Sequence, residues 1–255
     1  MSDAPVFVVS TGRTGTKFLC QFFDNYGVGV SAYHCPRGTR LIHVLANAYE
    51  TGLLPEGLMR SLWSGLRAPG VRRHRNRYVE CNAYYYNLVD TIRASFPQAR
   101  FIFVIRSPKG FIQSYMTWER NRWKSKLAAW TIPLWQPISY LEQLKGWAYD
   151  YHQRVEFYSK VWARKNASVI AHGSDPASLR VLRFEDLFDE TKGRQILRDL
   201  LLWLDIPAAK PISADTVKMK VNASTKQDID PWDERCDEIV RNHCRELMAV
   251  YGYTE

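Results

Sequence analysis

Long apolar runs are missing from this sequence. None reaches the ~18 residues that a membrane-crossing helix needs, and the first strand-like segment begins too close to Met1 for a signal peptide or an amino-terminal anchor. We therefore expect a soluble, cytoplasmic chain with no membrane span. Cysteine is scarce: Cys20, Cys35, Cys81, Cys236 and Cys244 include no C-x-x-C pair, and their number is odd. Free thiols in a reducing compartment fit that pattern better than a disulfide framework. No group of His, Cys and Asp has metal-ligand spacing, so no metal is expected. Zinc-finger, basic-zipper and RNA-recognition signatures are absent too, and the basic residues are spread along the chain. The net charge of +9 thus points to small anionic ligands rather than to nucleic acid.

What is present is an ordinary globular composition, 46% hydrophobic and 24% charged over 255 residues, enough for a substantial core. There is no internal repeat, and residues 1–255 read as one domain. Short apolar runs at 6–9, 28–33, 77–81, 101–105 and 180–184 alternate with stretches of helical periodicity. That alternation predicts an α/β fold with a central parallel sheet flanked by helices. Helices are expected near 40–50 and 56–66, over Tyr85 to Phe96 up to Pro97, as one long element over 137–165, and at the carboxyl end. Residues 67–77, with Arg72, Arg73, Arg75 and Arg77, read as a basic loop, either a solvated surface or a patch for an acidic acceptor. Residues 118–136 interleave Trp118, Trp123, Trp130 and Trp135 with Arg and Lys without clear periodicity, and read as a lid over an acceptor site.

The chain is organised around its first loop. Val6 to Val9 form a buried strand, Gly12 and Gly15 permit a tight turn, and Phe18, Leu19, Phe22, Phe23 and Tyr26 follow at helical spacing. Strand, glycine loop and helix together present backbone N–H groups and a positive helix end to a phosphate. Arg13, Thr14, Thr16 and Lys17 add charge and hydroxyl donors. The loop is not the nucleotide-triphosphatase form, which places Gly-Lys-Ser/Thr four residues after a first Gly. Ser10 and Thr16 occupy the wrong places for it, and no later strand ends in the Asp expected to hold magnesium.

A second constellation follows Phe101-Ile-Phe-Val-Ile. Arg106 leaves the carboxyl end of a buried strand, where open α/β sheets bind ligands, and Ser114 lies eight residues on, along the next helix. Ser107 and Pro108 suit that helix's cap and first position. An arginine and a hydroxyl so placed can grip one phosphate together.

The Arg13-Thr14-Gly15-Thr16 loop, the strand followed by Arg106-Ser-Pro108 with Ser114, and Val181-Leu-Arg-Phe-Glu-Asp-Leu187 together resemble the sulfotransferases. That resemblance implies the P-loop-like fold of the family. It also implies transfer of a sulfuryl group from 3′-phosphoadenosine 5′-phosphosulfate (PAPS) to a small-molecule or carbohydrate acceptor, leaving 3′,5′-bisphosphoadenosine (PAP). Gly12, Arg13, Thr14, Gly15, Thr16 and Lys17 would hold the 5′-phosphosulfate, and Arg106 with Ser114 the 3′-phosphate. Phe184, and Phe18 in some members, would approach adenine, and Ser224 and Lys226 would belong to a loop closing over the nucleotide. Arg13 and Lys17 compete to stabilise the leaving group. Two residues compete as base. Glu80 stands in Tyr-Val-Glu-Cys-Asn-Ala-Tyr-Tyr, which resembles the stretch of members that use glutamate, and is favoured. His34 ends the preceding strand, and its ordinary pKa near 6.5 suits the task. The alternative class is a nucleotide-binding protein of another kind, kinase-like or non-catalytic.

Overall fold

The computed structural model describes residues 4–121, 127, 130–172, 177–218 and 231–253. Five strands form one sheet: β1 (Val6–Ser10), β2 (Val30–His34), β3 (Arg77–Asn82), β4 (Arg100–Ile105) and β5 (Leu179–Arg183). Their order is β2-β3-β1-β4-β5, and every pairing is parallel. β1 is central because all five of its residues are buried, with Val8 opposite Cys81 on one side and Ile102 on the other. Strand order reverses at β1, so its carboxyl end opens into the crevice where such sheets take ligands.

The crossovers are helical, as parallel pairing requires. α1 (Thr16–Tyr26) joins β1 to β2. α2 (Thr39–Glu50), α3 (Glu56–Leu66) and the short α4 (Ala68–Arg72) precede β3, and α5 (Val89–Ser95) precedes β4. α6 (Pro108–Asn121), α7 (Tyr140–Lys145) and α8 (Tyr151–His172) lead to β5. The remaining helices are α9 (Phe184–Leu187), α10 (Lys192–Trp203), α11 (Ala214–Lys218) and α12 (Glu234–Val250).

Alternation along β1 divides the interior in two. Phe7 and Val9 join a core with Trp63, Ile92, Phe111, Tyr158 and Trp162. Val6 and Val8 join another with Phe18, Phe22, Leu197 and Leu200. Each large side chain so buried contributes about 1.5–3 kcal/mol.

Three expectations need correction. The 137–165 helix is broken: Asp150 and Gln153 each accept a hydrogen bond from the other's backbone N–H, at 2.8 and 3.0 Å, a reciprocal cap that starts α8 afresh. Tyr140, Leu141, Leu144 and Trp147 are consequently exposed rather than core. The helix after β3 starts only at Val89, because the buried Asn87 side chain donates to the Ala46 carbonyl at 2.7 Å and ties the preceding turn to α2. Finally, Arg67–Arg77 is not all surface loop; α4 occupies part of it, and Arg67 turns inward.

Candidate active site

At the β1 tip, Gly12, Arg13 and Gly15 all have positive φ, 94°, 58° and 80°. A left-handed conformation at arginine is uncommon and holds only where the surroundings fix it. Here the turn is packed from above: any Cβ on Gly12 would overlap the Tyr115 hydroxyl. Gly15 begins α1 without a side-chain cap, leaving first-turn N–H groups without helical partners. The Thr11 and Thr14 hydroxyls are buried and have no partner among the described residues. Uncapped helix, unpartnered hydroxyls and adjacent cations are what an anion-binding loop requires.

Arg106 and Ser114 come to the same loop. Arg106 donates Nη1–H to the Arg13 carbonyl at 3.0 Å, and the Arg13 Nε–H donates to Ser114 Oγ at 3.0 Å. Ser114 and Arg106 are thus both tied to Arg13. The Arg106 guanidinium lies 4.3 Å over the Phe184 ring, its Nε has no partner among the described residues, and its carbonyl accepts from Trp162. Burial, opposed by Glu185 and reinforced by Arg13, lowers its pKa to about 10. The desolvated Arg106 guanidinium, with the Arg13 charge acting on it, favours an anion beside it.

Gly12, Arg13, Thr14, Gly15, Thr16, Lys17, His34, Arg106, Ser114 and Phe184 all line one cavity of about 710 Å³. Phe18 does not: it is buried in the core beneath α1 against Phe188, ring centroids 4.8 Å apart. Phe188 itself lines the cavity beside Phe184, an i, i+4 aromatic pair that the sequence displayed. Ser224 and Lys226 lie outside the described residues.

The two base candidates separate clearly. His34 lies at the cavity rim with Nε2 3.2 Å from the Thr16 hydroxyl. Partial loss of water and then the Lys17 ammonium lower its pKa, keeping the imidazole neutral. Glu80 does not reach the cavity. It is fully buried, where Oε2 accepts from Arg67 and Tyr78 and Oε1 from Asn82 at 3.0 Å. Asn82 in turn accepts from the Tyr84 N–H at 3.0 Å. Glu80 thus holds the β3 exit in shape instead of meeting a substrate.

The inner half of the cavity comes from His43, Tyr84, Tyr115, Thr117, Trp118, Trp135, Gln136 and Lys165; the sequence marked segment 118–136 for the acceptor, whereas His43, Thr117 and Lys165 carried no expectation. Trp130 and Trp135 are buried, and Trp118 and Trp135 form cavity wall in this structure; Trp123 lies outside the described residues. Segment 134–136 is fixed by Asn47 to the Leu134 carbonyl at 2.7 Å, His43 to the Trp135 carbonyl at 2.8 Å and Lys165 to Gln136 Oε1 at 2.8 Å. Trp130 lies flat against Gly146, where any Cβ would overlap its ring.

Away from the cavity, His152, Asp233 and Cys236 place ligand-type atoms within 4.8 Å of one another. Asp233 caps α12 through the Cys236 N–H at 3.0 Å and bonds His152 at 2.9 Å, which accounts for the cluster. All five cysteines are free. Among the described residues no helix is long and apolar enough to cross a membrane.

The sequence pattern of the Sulfotransferase family matches residues 31–210, more than half of the chain. This protein belongs to the sulfotransferase family. The matched segment starts after the Gly12–Lys17 loop, so the loop is an independent observation. No curated protein matches the chain. Among solved structures it is similar to the sulfotransferase domain of the Synechococcus PCC 7002 olefin synthase, with TM-score 0.55 and 12% identity over 98% of this chain and 95% of that one. It is also similar to a sulfotransferase from Alicyclobacillus acidocaldarius, with TM-score 0.53 and 13% identity over 100% and 98%. A third is the sulfotransferase domain from the curacin biosynthetic pathway, with TM-score 0.52 and 15% identity over 98% of each chain. At such identities the likeness shows the shared fold: a central parallel sheet between helices.

Proposed function

We propose that this sulfotransferase takes its sulfuryl group from PAPS and delivers it to a hydroxyl or amine of a small-molecule or carbohydrate acceptor. The observation that carries the reading is the convergence of the uncapped α1 loop, Arg106, Ser114 and a neutral His34 on one cavity. The donor supplies an activated sulfuryl group on a phosphate leaving group. Gly12 to Lys17 bind its 5′ end, where the unpartnered Thr14 hydroxyl and the α1 N–H groups have bonds to give. Arg106 and Ser114 bind the 3′-phosphate, and Phe184 with Phe188 offer aromatic surface to adenine.

Transfer breaks the S–O bond to phosphate and forms a bond from sulfur to the acceptor oxygen or nitrogen. Arg13 and Lys17 stabilise the charge that collects on the departing phosphate. Arg13 does so as a fixed cation, while the exposed Lys17 can follow the charge. The neutral His34 imidazole accepts the acceptor's proton, its ring held at the cavity rim by the contact between Nε2 and the Thr16 hydroxyl. Five free cysteines fit a cytoplasmic setting.

Two measurements test this. Turnover of labelled PAPS against phenols, sugars and amines should give a sulfated product, and PAP should bind more tightly than adenosine 5′-monophosphate. Equal affinity with and without the 3′-phosphate, or a larger rise in melting temperature with magnesium and ATP than with PAP, would overturn the reading.

A further inference from the structure

The inner end of the cavity holds a cation without an anion. Lys165 is 1% exposed, projects from α8 and lines the cavity. Its ammonium donates to Gln136 Oε1 at 2.8 Å and lies 5.6 Å from the Tyr86 ring centroid, but forms no ion pair among the described residues. Glu50, whose charge acts on it from a distance, is engaged by Asn87, Ser168 and Arg164. An ammonium has three donors, so two remain. Beside it, His43 gives Nε2–H to the Trp135 carbonyl, leaving Nδ1 as a buried lone pair with no partner among the described residues. Burial, then the Lys165 charge, against the pull of that carbonyl, depress the His43 pKa to about 3, so the imidazole is a neutral acceptor. Tyr84 packs over it, ring centroids 4.2 Å apart, and Trp135 stands edge-on.

The geometry points to an acceptor that is a compact aromatic hydroxy compound carrying one carboxylate, with Lys165 binding the carboxylate and Tyr84, Trp118 and Trp135 enclosing the ring. This rests on the sulfotransferase reading for the word acceptor, but the subsite is a property of the chain alone. A single charge is indicated because, among the described residues, Lys165 is the only lysine or arginine lining the inner half. The unpartnered His43 Nδ1 supplies an acceptor for a second polar hydrogen on the same molecule. The buried ammonium, with its pKa lowered to about 7 by desolvation, gains from a bound anion what the fold does not provide.

The test compares 4-hydroxybenzoate with 4-hydroxybenzamide, which share a shape and differ in charge, by calorimetry with and without PAP. One charge-assisted bond corresponds to about ten- to hundredfold in affinity. Wild-type protein should prefer the benzoate by that factor, and Lys165→Met should abolish the preference while PAP affinity is retained. Equal affinities, no binding of either probe, or a preference that survives Lys165→Met overturns the proposal. Should Lys165→Met fail to fold, 15N NMR of the wild-type lysine ammonium answers the same question. Its pKa should rise with 4-hydroxybenzoate and stay fixed with the amide, and an unchanged pKa with the benzoate overturns the subsite. Preference without PAP binding would remove the donor reading and keep the subsite; PAP binding without preference does the reverse.

Discussion

The two ends of the cavity handle buried charge in opposite ways. At the sheet edge the cations are Arg13, Arg106 and the exposed Lys17, and desolvation lowers Arg106 only to about 10, so it stays charged at neutral pH. At the inner end the same penalty falls on Lys165 and His43 and brings them to about 7 and about 3. A guanidinium spreads its charge and keeps it, whereas an ammonium or imidazole yields to its surroundings. One end is therefore committed to anions whether or not they are bound. The other acquires full charge when a partner arrives. Such a division suits a donor with invariant phosphates at one end and a recognised acceptor at the other.

His34 sits at the rim of that cavity, and its replacement should have the largest effect. His34→Asn should lower kcat by ~10²–10⁴ and leave PAP affinity nearly unchanged. Because its pKa is lowered, the neutral form persists below pH 6.5. The kcat/KM profile should stay flat around neutrality and fall only on the acid side of that value. Near-normal turnover in His34→Asn would remove the base from this site.

Next comes Glu80, which the structure assigns to the scaffold. Glu80→Gln leaves Arg67 uncompensated beside Tyr78, and breaking such a pair costs about 3–5 kcal/mol. Chemical denaturation should show that loss, with kcat per folded molecule little changed. Loss of turnover at full stability would return Glu80 to catalysis.

His43 predicts an acid lability of the inner end. Unfolded, it takes a proton near pH 6.5; folded, it refuses one down to about 3. The unfolded state binds the extra proton across that window, so stability is lost as pH falls through it. The loss should reach about 3 kcal/mol by pH 4. Urea midpoints at pH 7, 5.5 and 4 check this, and His43→Leu should flatten that part of the slope. An unchanged slope would mean that the ring is hydrated.

These contrasts also explain what the sequence disclosed. The Gly12–Lys17 loop spans a few consecutive residues, and the Arg106–Ser114 spacing is fixed by one strand and one helix, so their meeting at one cavity was legible. Glu80 misled because its neighbours resemble a catalytic stretch. Alternation of Tyr78, Glu80 and Asn82 sets all three on one buried face, and the cavity begins only at Ala83 and Tyr84. The inner end is assembled from α2, the β3 exit, 134–136 and α8, which no local pattern joins. A signal was nonetheless present. Lys165 follows Val155, Tyr158 and Trp162 at steps of three, four and three, a lysine on an apolar stripe. His43 and Asn47 interrupt the stripe of Thr39, Ile42 and Ala46 in the same manner.

The smallest effect gives the sharpest test of the committed end, because its two consequences have opposite signs. The Thr14 hydroxyl is buried without a partner among the described residues, in a loop held at positive φ on either side. A group left so costs about 1–3 kcal/mol when no ligand is bound. Valine keeps the shape and removes the hydroxyl. Thr14→Val should therefore raise the stability of the free protein by about 1 kcal/mol and weaken PAP roughly three- to tenfold, the value of one neutral hydrogen bond. Paired denaturation and calorimetry measure both. If Thr14→Val lowers stability as well as affinity, the hydroxyl is satisfied in the free protein, and the sheet-edge end, like the inner one, settles its polar groups before a ligand arrives.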